Sequence, residues 1–189
     1  MYKLKIITST VRPGRKGPLI AAWIVEKAKQ NGAFDVELLD LAEINLPMMN
    51  EPYQPLMKKY QHEHTKAWSA KIEEADAFIF VTAEYDYNYP APLRNALEYL
   101  VQEWAYKAAG IVSYGGVSAG TRAANSLKGD LATFKIVPLS EGVNFPFFAQ
   151  FINEQGVFTP NEVSHKAAET MLRELARWTK GLLLIKADK

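Results

Sequence analysis

The chain contains no cysteine. That excludes disulfide staples, thiolate nucleophiles, iron–sulfur clusters and cysteine zinc sites together, so any redox chemistry must come from a bound cofactor. No apolar run approaches the ~20 residues needed to span a bilayer. Charge of one sign is also missing: 22 basic against 21 acidic residues leave a net charge of +1, without the broad basic footprint that nucleic acid requires. The first seven residues alternate lysine with apolar residues and lack a signal peptide's long apolar centre and cleavage site. These absences predict a soluble cytoplasmic protein with neither membrane nor nucleic-acid partner. Histidine is scarce, with three in the chain. His62 and His64 flank Glu63 in a polar stretch, where a solvated helix face is expected rather than a metal site.

What is present is a globular composition, 48% hydrophobic and 23% charged over 189 residues, enough for one domain spanning 1–189 with a sizeable core. No repeat, low-complexity tract or Gly/Ser linker divides it. Short apolar runs at 3–8, 34–39, 77–82, 108–114 and 135–139 read as strands. Segments 19–30, 66–75, 92–101, 121–131 and 160–180 read as helices, the first ended by Asn31-Gly32. The run 77–82 is continuously apolar, as befits a central strand covered on both faces. Regular β–α alternation implies a parallel sheet with helices on both faces. Five such units suit a flavodoxin-like α/β sandwich, sheet order 2-1-3-4-5, better than a six-stranded dinucleotide fold.

In such a sheet ligands bind beyond the carboxyl ends of the strands, at the switch point between the first and third. Three loops therefore matter. The first, T-S-T-V-R-P-G-R-K-G-P (8–18), joins hydroxyls, two arginines and glycines to a helix N-terminus, a combination suited to an anion. It is neither a Walker loop nor a G-x-G-x-x-G fingerprint. The second, A-E-Y-D-Y-N-Y-P-A-P (83–92), sets three tyrosines and two prolines at a strand end, a rigid wall for a flat heterocycle. The lesser reading of the same tyrosines is loop packing or a subunit contact. The third, S-Y-G-G-V-S-A-G-T-R (113–122), pairs glycines that let backbone amides approach a ring edge. A plain tight turn would use the same residues.

Taken together the three loops resemble the NADPH-dependent FMN reductase family, with its azoreductase-like and quinone reductase-like members. The resemblance covers roughly residues 1–139 and is most specific in A-E-Y-D-Y-N-Y-P-A-P-L-R-N-A-L-E-Y-L. It implies FMN as cofactor and NADPH or NADH as electron donor, in a ping-pong reduction of flavin, quinone, azo or similar small acceptors. It places Ser9, Thr10, Arg12, Arg15 and Gly17 at the FMN phosphate. Glu84, Tyr85, Asp86 and Tyr87 would lie along the isoalloxazine with Asn88 close by, and Ser113, Gly115 and Gly116 would line its opposite side. It also implies a homodimer or homotetramer. The sequence departs from the family at Ala83, where proline is common, and at Thr8, where glycine is frequent. No proton-transfer residue is obligatory, so no catalytic residue is named, and no metal is expected. The alternative is a non-enzymatic FMN-binding electron carrier, disfavoured because carriers commonly present a strongly acidic surface. The Phe-rich segment 145–151 has no assigned family role and suits an oligomer contact or a wall over the substrate, and Met48-Met49 suit ordinary packing or a neighbouring subunit's flavin pocket.

Overall fold

The computed structural model describes residues 1–188. Five parallel strands, β1 (Tyr2–Thr8), β2 (Phe34–Asp40), β3 (Ala77–Ala83), β4 (Lys107–Tyr114) and β5 (Ile136–Phe145), form one sheet in the order β2-β1-β3-β4-β5. The expected flavodoxin-like topology is the one observed.

Alternation along the strands sorts their side chains onto two cores. On one face Leu4, Ile6, Ile79 and Val112 pack with α1 (Gly17–Asn31) and α6 (Glu162–Ala187). On the other, Ile7, Phe78, Phe80 and Ile111 pack against α3 (Glu63–Glu73), α4 (Ala91–Glu98) and α5 (Thr121–Thr133). Trp68 and Trp104 complete that second core, their indole N–H groups donating to the Ala96 and Leu97 carbonyls. Helix α1 ends as its sequence predicts, with Gly32 left-handed at φ 76°.

Several elements depart from the expected boundaries, among them α6, which runs to Ala187 rather than ending near 180. Strand β5 runs on to Phe145 rather than stopping at Leu139. Its register shifts between Ala109 and Ile111 of β4, so Pro138, Ser140 and Glu141 interrupt the apolar pattern without ending the strand. Helix α4 stops at Glu98, and a 3-10 turn (Gln102–Trp104) brings Trp104 into the core. A one-turn helix, α2 (Leu41–Ile44), follows β2 directly. It is too short to show a period and is capped by Asp40, whose carboxylate accepts from the Ala42 amide.

The amino end of β4 carries Lys107, buried to 2% exposure. Its ammonium donates to the Ile72 and Glu73 carbonyls at 2.5 and 3.0 Å, satisfying the C-terminus of α3. Burial, helped by nearby Lys186 and opposed by Glu73, Asp76 and Glu103, pushes its pKa down to about 7 from 10.5. Between these values the unfolded chain holds a proton that the folded chain has lost, so this residue makes stability rise with pH across the window. Lys107→Met should therefore flatten the rise of the thermal midpoint from about pH 7 to about pH 9. Parallel midpoint curves for the two proteins would show that Lys107 stays charged in the fold.

Candidate functional site

The loops after β1, β3 and β4 meet at the carboxyl end of the sheet, where a cleft of about 190 Å³ lies among Arg12, Lys16, Glu84, Tyr85, Gly115 and Phe148. A roomier cavity of about 490 Å³ lies elsewhere, beside Tyr106, Lys135 and Lys186. It is remote from the switch point and from all three loops.

In the loop after β1, several side chains are committed to the protein itself. Ser9 donates from its hydroxyl to Thr82 Oγ1 at 3.2 Å and from its amide to the Val81 carbonyl. Arg15 reaches Asp40 at 2.7 Å and the Thr10 carbonyl at 3.2 Å. Burial works against the charge on Asp40, but Arg15, the Ala42 amide and the Thr8 hydroxyl outweigh it and hold the carboxyl below its ordinary range. Thr10 is buried beside Gly17 and Tyr114, and a Cβ at Gly17 would stand 2.6 Å from Thr10 Oγ1 and 3.0 Å from the Tyr114 hydroxyl. Burial raises the Tyr114 phenol to about 12, with Thr10 pulling the other way, so it stays protonated.

What remains open in this loop is Arg12 and the main chain. Among the described residues, the Arg12 guanidinium has neither a hydrogen bond nor an ion pair, and it is exposed. The amides of Thr10, Arg12, Gly14, Lys16 and Gly17 meet no protein acceptor there either.

The loop after β3 closes as a two-residue turn. Tyr85 and Asn88 exchange backbone hydrogen bonds at 2.8 and 2.9 Å, with Asp86 at φ 48° and Tyr87 at φ 69° between them. Asn88 turns its side chain back to the Tyr89 amide. Glu84 lines the cleft and directs its carboxylate to protein partners. Its carboxylate accepts from Ser118 at 2.8 Å and from Arg122 at 2.6 Å. Burial opposes that charge, yet Ser118 and Arg122 keep its pKa below the usual value.

In the loop after β4, the Ser113 hydroxyl is buried, 2.8 Å from both the Ala119 carbonyl and Asn144 Oδ1. Gly115 and Gly116 accept from the Phe148 and Phe147 amides. The Phe-rich segment is thereby strapped to the cleft, where Phe148 meets Tyr114 edge-on at 5.1 Å.

Of the thirteen residues expected at the site, Arg12, Arg15, Glu84, Tyr85, Gly115 and Gly116 line one cleft. Thr10 and Gly17 pack beside it through Tyr114, which lines it. Ser9 and Ser113 support it from within, and Asp86, Tyr87 and Asn88 form the turn at its edge. Sequence reasoning passed over Asp40, Tyr114 and Arg122, and left Phe148 in a segment open to an oligomer contact or a wall over the substrate. Their places at the ends of β2 and β4, in the strap and in the first turn of α5 were the available signal. His62 and His64 are not a freely solvated pair: their rings stack at 5.1 Å and both contact Asn50. No group of three metal-ligating side chains occurs among the described residues.

The helix N-termini share one feature. Helices α1, α4 and α5 all start at this end of the sheet, and none has a side-chain cap or an acidic residue in its first turn. The other helices are treated differently: α2 and α6 are capped by Asp40 and Asn161, and α3 carries Glu63 in its first turn. Uncapped N-termini leave amide donors and positive potential for an anion.

The family model described as NADPH-dependent FMN reductase matches residues 2–150. An NAD(P)H-dependent FMN reductase of Schizosaccharomyces pombe is 47% identical over 120 residues, covering 62% of this chain and 60% of that protein, less than two thirds of its length. Another from Nectria sp. is 35% identical over 158 residues, covering 79% and 77%. Among solved structures, the flavoenzyme NAD(P)H:(acceptor) oxidoreductase FerB of Paracoccus denitrificans superposes with a TM-score of 0.77 at 21% identity, covering 96% and 98%, a likeness of fold. With the family model matching most of its length, the chain belongs to the NADPH-dependent FMN reductase family.

Proposed function

We propose that this chain is an FMN-dependent NAD(P)H oxidoreductase that passes electrons to small acceptors such as quinones or flavins. The observation that carries the reading is the set of unpaired amides and the free Arg12 guanidinium at the uncapped start of α1, in a cleft shared with Tyr85 and Gly115. That donor set fits a phosphate dianion, and the cleft's aromatic and glycine edges fit a flat ring. FMN, when bound, supplies the hydride chemistry, accepting from NAD(P)H and delivering two electrons to an acceptor in a ping-pong cycle.

The protein's own contribution is position. Arg12 and the amides of Thr10, Gly14 and Lys16 hold the phosphate. Arg15, fixed by Asp40, shapes the loop and adds positive potential. The turn 85–88 supplies one wall and Gly115–Gly116 the other, while Tyr114 and Phe148 keep water from the cleft floor. A homodimer or homotetramer belongs to the same reading, supported by exposed Met48, Tyr53, Leu56 and Met57 beyond α2. So does a cytoplasmic location. No helix among the described residues is long and apolar enough to cross a membrane.

Arg12→Ala should weaken FMN binding by about 10- to 100-fold, the worth of a charge-assisted hydrogen bond, while riboflavin, lacking the phosphate, binds unchanged. Flavin fluorescence titration reads both, and equal losses for the two ligands would remove Arg12 from the phosphate. Anaerobic addition of NADPH, then NADH, to the FMN-loaded protein should bleach the oxidised flavin band, and a quinone should restore it. A bound flavin that neither donor bleaches would make the protein an electron carrier instead.

A further inference from the structure

The turn after β3 holds a conformation that its residues disfavour. Asp86 and Tyr87 occupy its two central positions at φ 48° and 69°, where Asn-Gly is the preferred pair. Aspartate tolerates the left-handed region, but an aromatic residue there is strained. Such strain persists only when neighbouring structure over-determines it.

Arg122 supplies that neighbour. Its guanidinium lies 3.8 Å from the centroid of the Tyr87 ring. Its Nε and Nη2 both stand 2.6 Å from Glu84 Oε1. Glu84 is itself anchored, its second oxygen accepting from Ser118 and its amide donating to the Tyr114 carbonyl. One side chain thus joins the end of β3, the strained turn and the start of α5. Helix propensity does not explain a cation here, since the first turn of a helix disfavours positive charge. Pairing with Glu84, whose side chain is 7% exposed against 41% for Arg122, explains the charge but not the stack on Tyr87. The arrangement is explained by what it fixes. The Asp86 and Tyr87 amides have no protein acceptor among the described residues, and Tyr85, next in line, borders the cleft.

We infer that Arg122 is a positioning residue for the flavin site: acting through Glu84 and the Tyr87 ring, it holds the 85–88 turn in its left-handed form and so sets the wall against which the cofactor lies. This rests on the FMN reading above. It goes beyond that reading by assigning a role to a residue outside the cleft lining.

The test compares the parent chain with Arg122→Leu, Arg122→Lys and Arg122→Leu combined with Tyr87→Gly. Chymotrypsin cleavage after Tyr85 and Tyr87 in the FMN-free protein reads the turn without reference to flavin. The affinity, visible spectrum and half-reduction potential of bound FMN read its consequence. Arg122→Leu should speed the nick and weaken FMN binding, each on the order of tenfold, and should shift the flavin band and potential at temperatures well below the unfolding midpoint. Arg122→Lys should fall between, since an ammonium keeps the pair with Glu84 but loses the flat stack on Tyr87. Tyr87→Gly removes the strain at the second position of the turn, where glycine is preferred, so the double variant should regain most of the lost affinity. Unchanged cleavage and spectrum in Arg122→Leu, or no recovery in the double variant, would overturn the assignment. Should the parent itself take up no FMN, the flavin reading fails, and with it Arg122's part in that site. The cleavage rates would still decide whether Arg122 governs the turn.

Discussion

Strand β1 lies between β2 and β3 and pairs in parallel with both, and the rest of the molecule follows from that pairing. Because all strands run the same way, every connection must cross back over a face, and each following helix starts at the carboxyl end of the sheet. Helix α1 leaves β1 for one face while α4 leaves β3 for the other. Their departure in opposite directions opens a crevice at the end of β1 that no side chain has to carve.

The crevice is furnished largely by main chain. Ser9, Ser113, Glu84 and Arg15 all bear polar groups that a sequence reader would aim at a ligand, yet each spends them on protein partners. Ser9 ties β1 to β3, Ser113 ties β4 to β5 and its own loop, and Arg15 ties the first loop to Asp40. The amides are left free because the side chains hold the loops that carry them. Such a division suits a cofactor with a phosphate and a flat polar ring. Amide groups fixed by a packed scaffold lose less freedom on binding than long side chains do.

This division also explains what the sequence disclosed. The sheet order was legible because residues 77–82 are apolar without interruption and Asn31-Gly32 ends α1 where the periodicity does. The extent of β5 was not, since Pro138 and the polar pair Ser140-Glu141 imitate a strand end, and only cross-strand pairing with Ile111 to Tyr114 carries the segment onward. Likewise the three loops could be located by their place after strands one, three and four. The aim of Glu84 was hidden, because the spacing of residues in a loop does not say whether a carboxylate faces a ligand or an arginine 38 positions away. Arg122 was overlooked for the same reason, as it counted only as part of a helix start.

The two ends of the sheet are finished by opposite rules. At the amino end, charge is neutralised within the protein: Lys5, 5% exposed, is paired with both Glu37 and Glu74, and Lys107 caps α3. At the carboxyl end, α1, α4 and α5 begin without a capping side chain or an early acid. Helix caps are each worth about 0.5–2 kcal/mol, so the three omissions beside the cleft forgo stability that α2 and α6 take from Asp40 and Asn161. The pattern is what an anion site requires, because a capping carboxylate would occupy the donors and cancel the potential. The one charged residue in these first turns, Arg122, has the sign that costs the helix. It is tolerated because Glu84 and Tyr87 engage it.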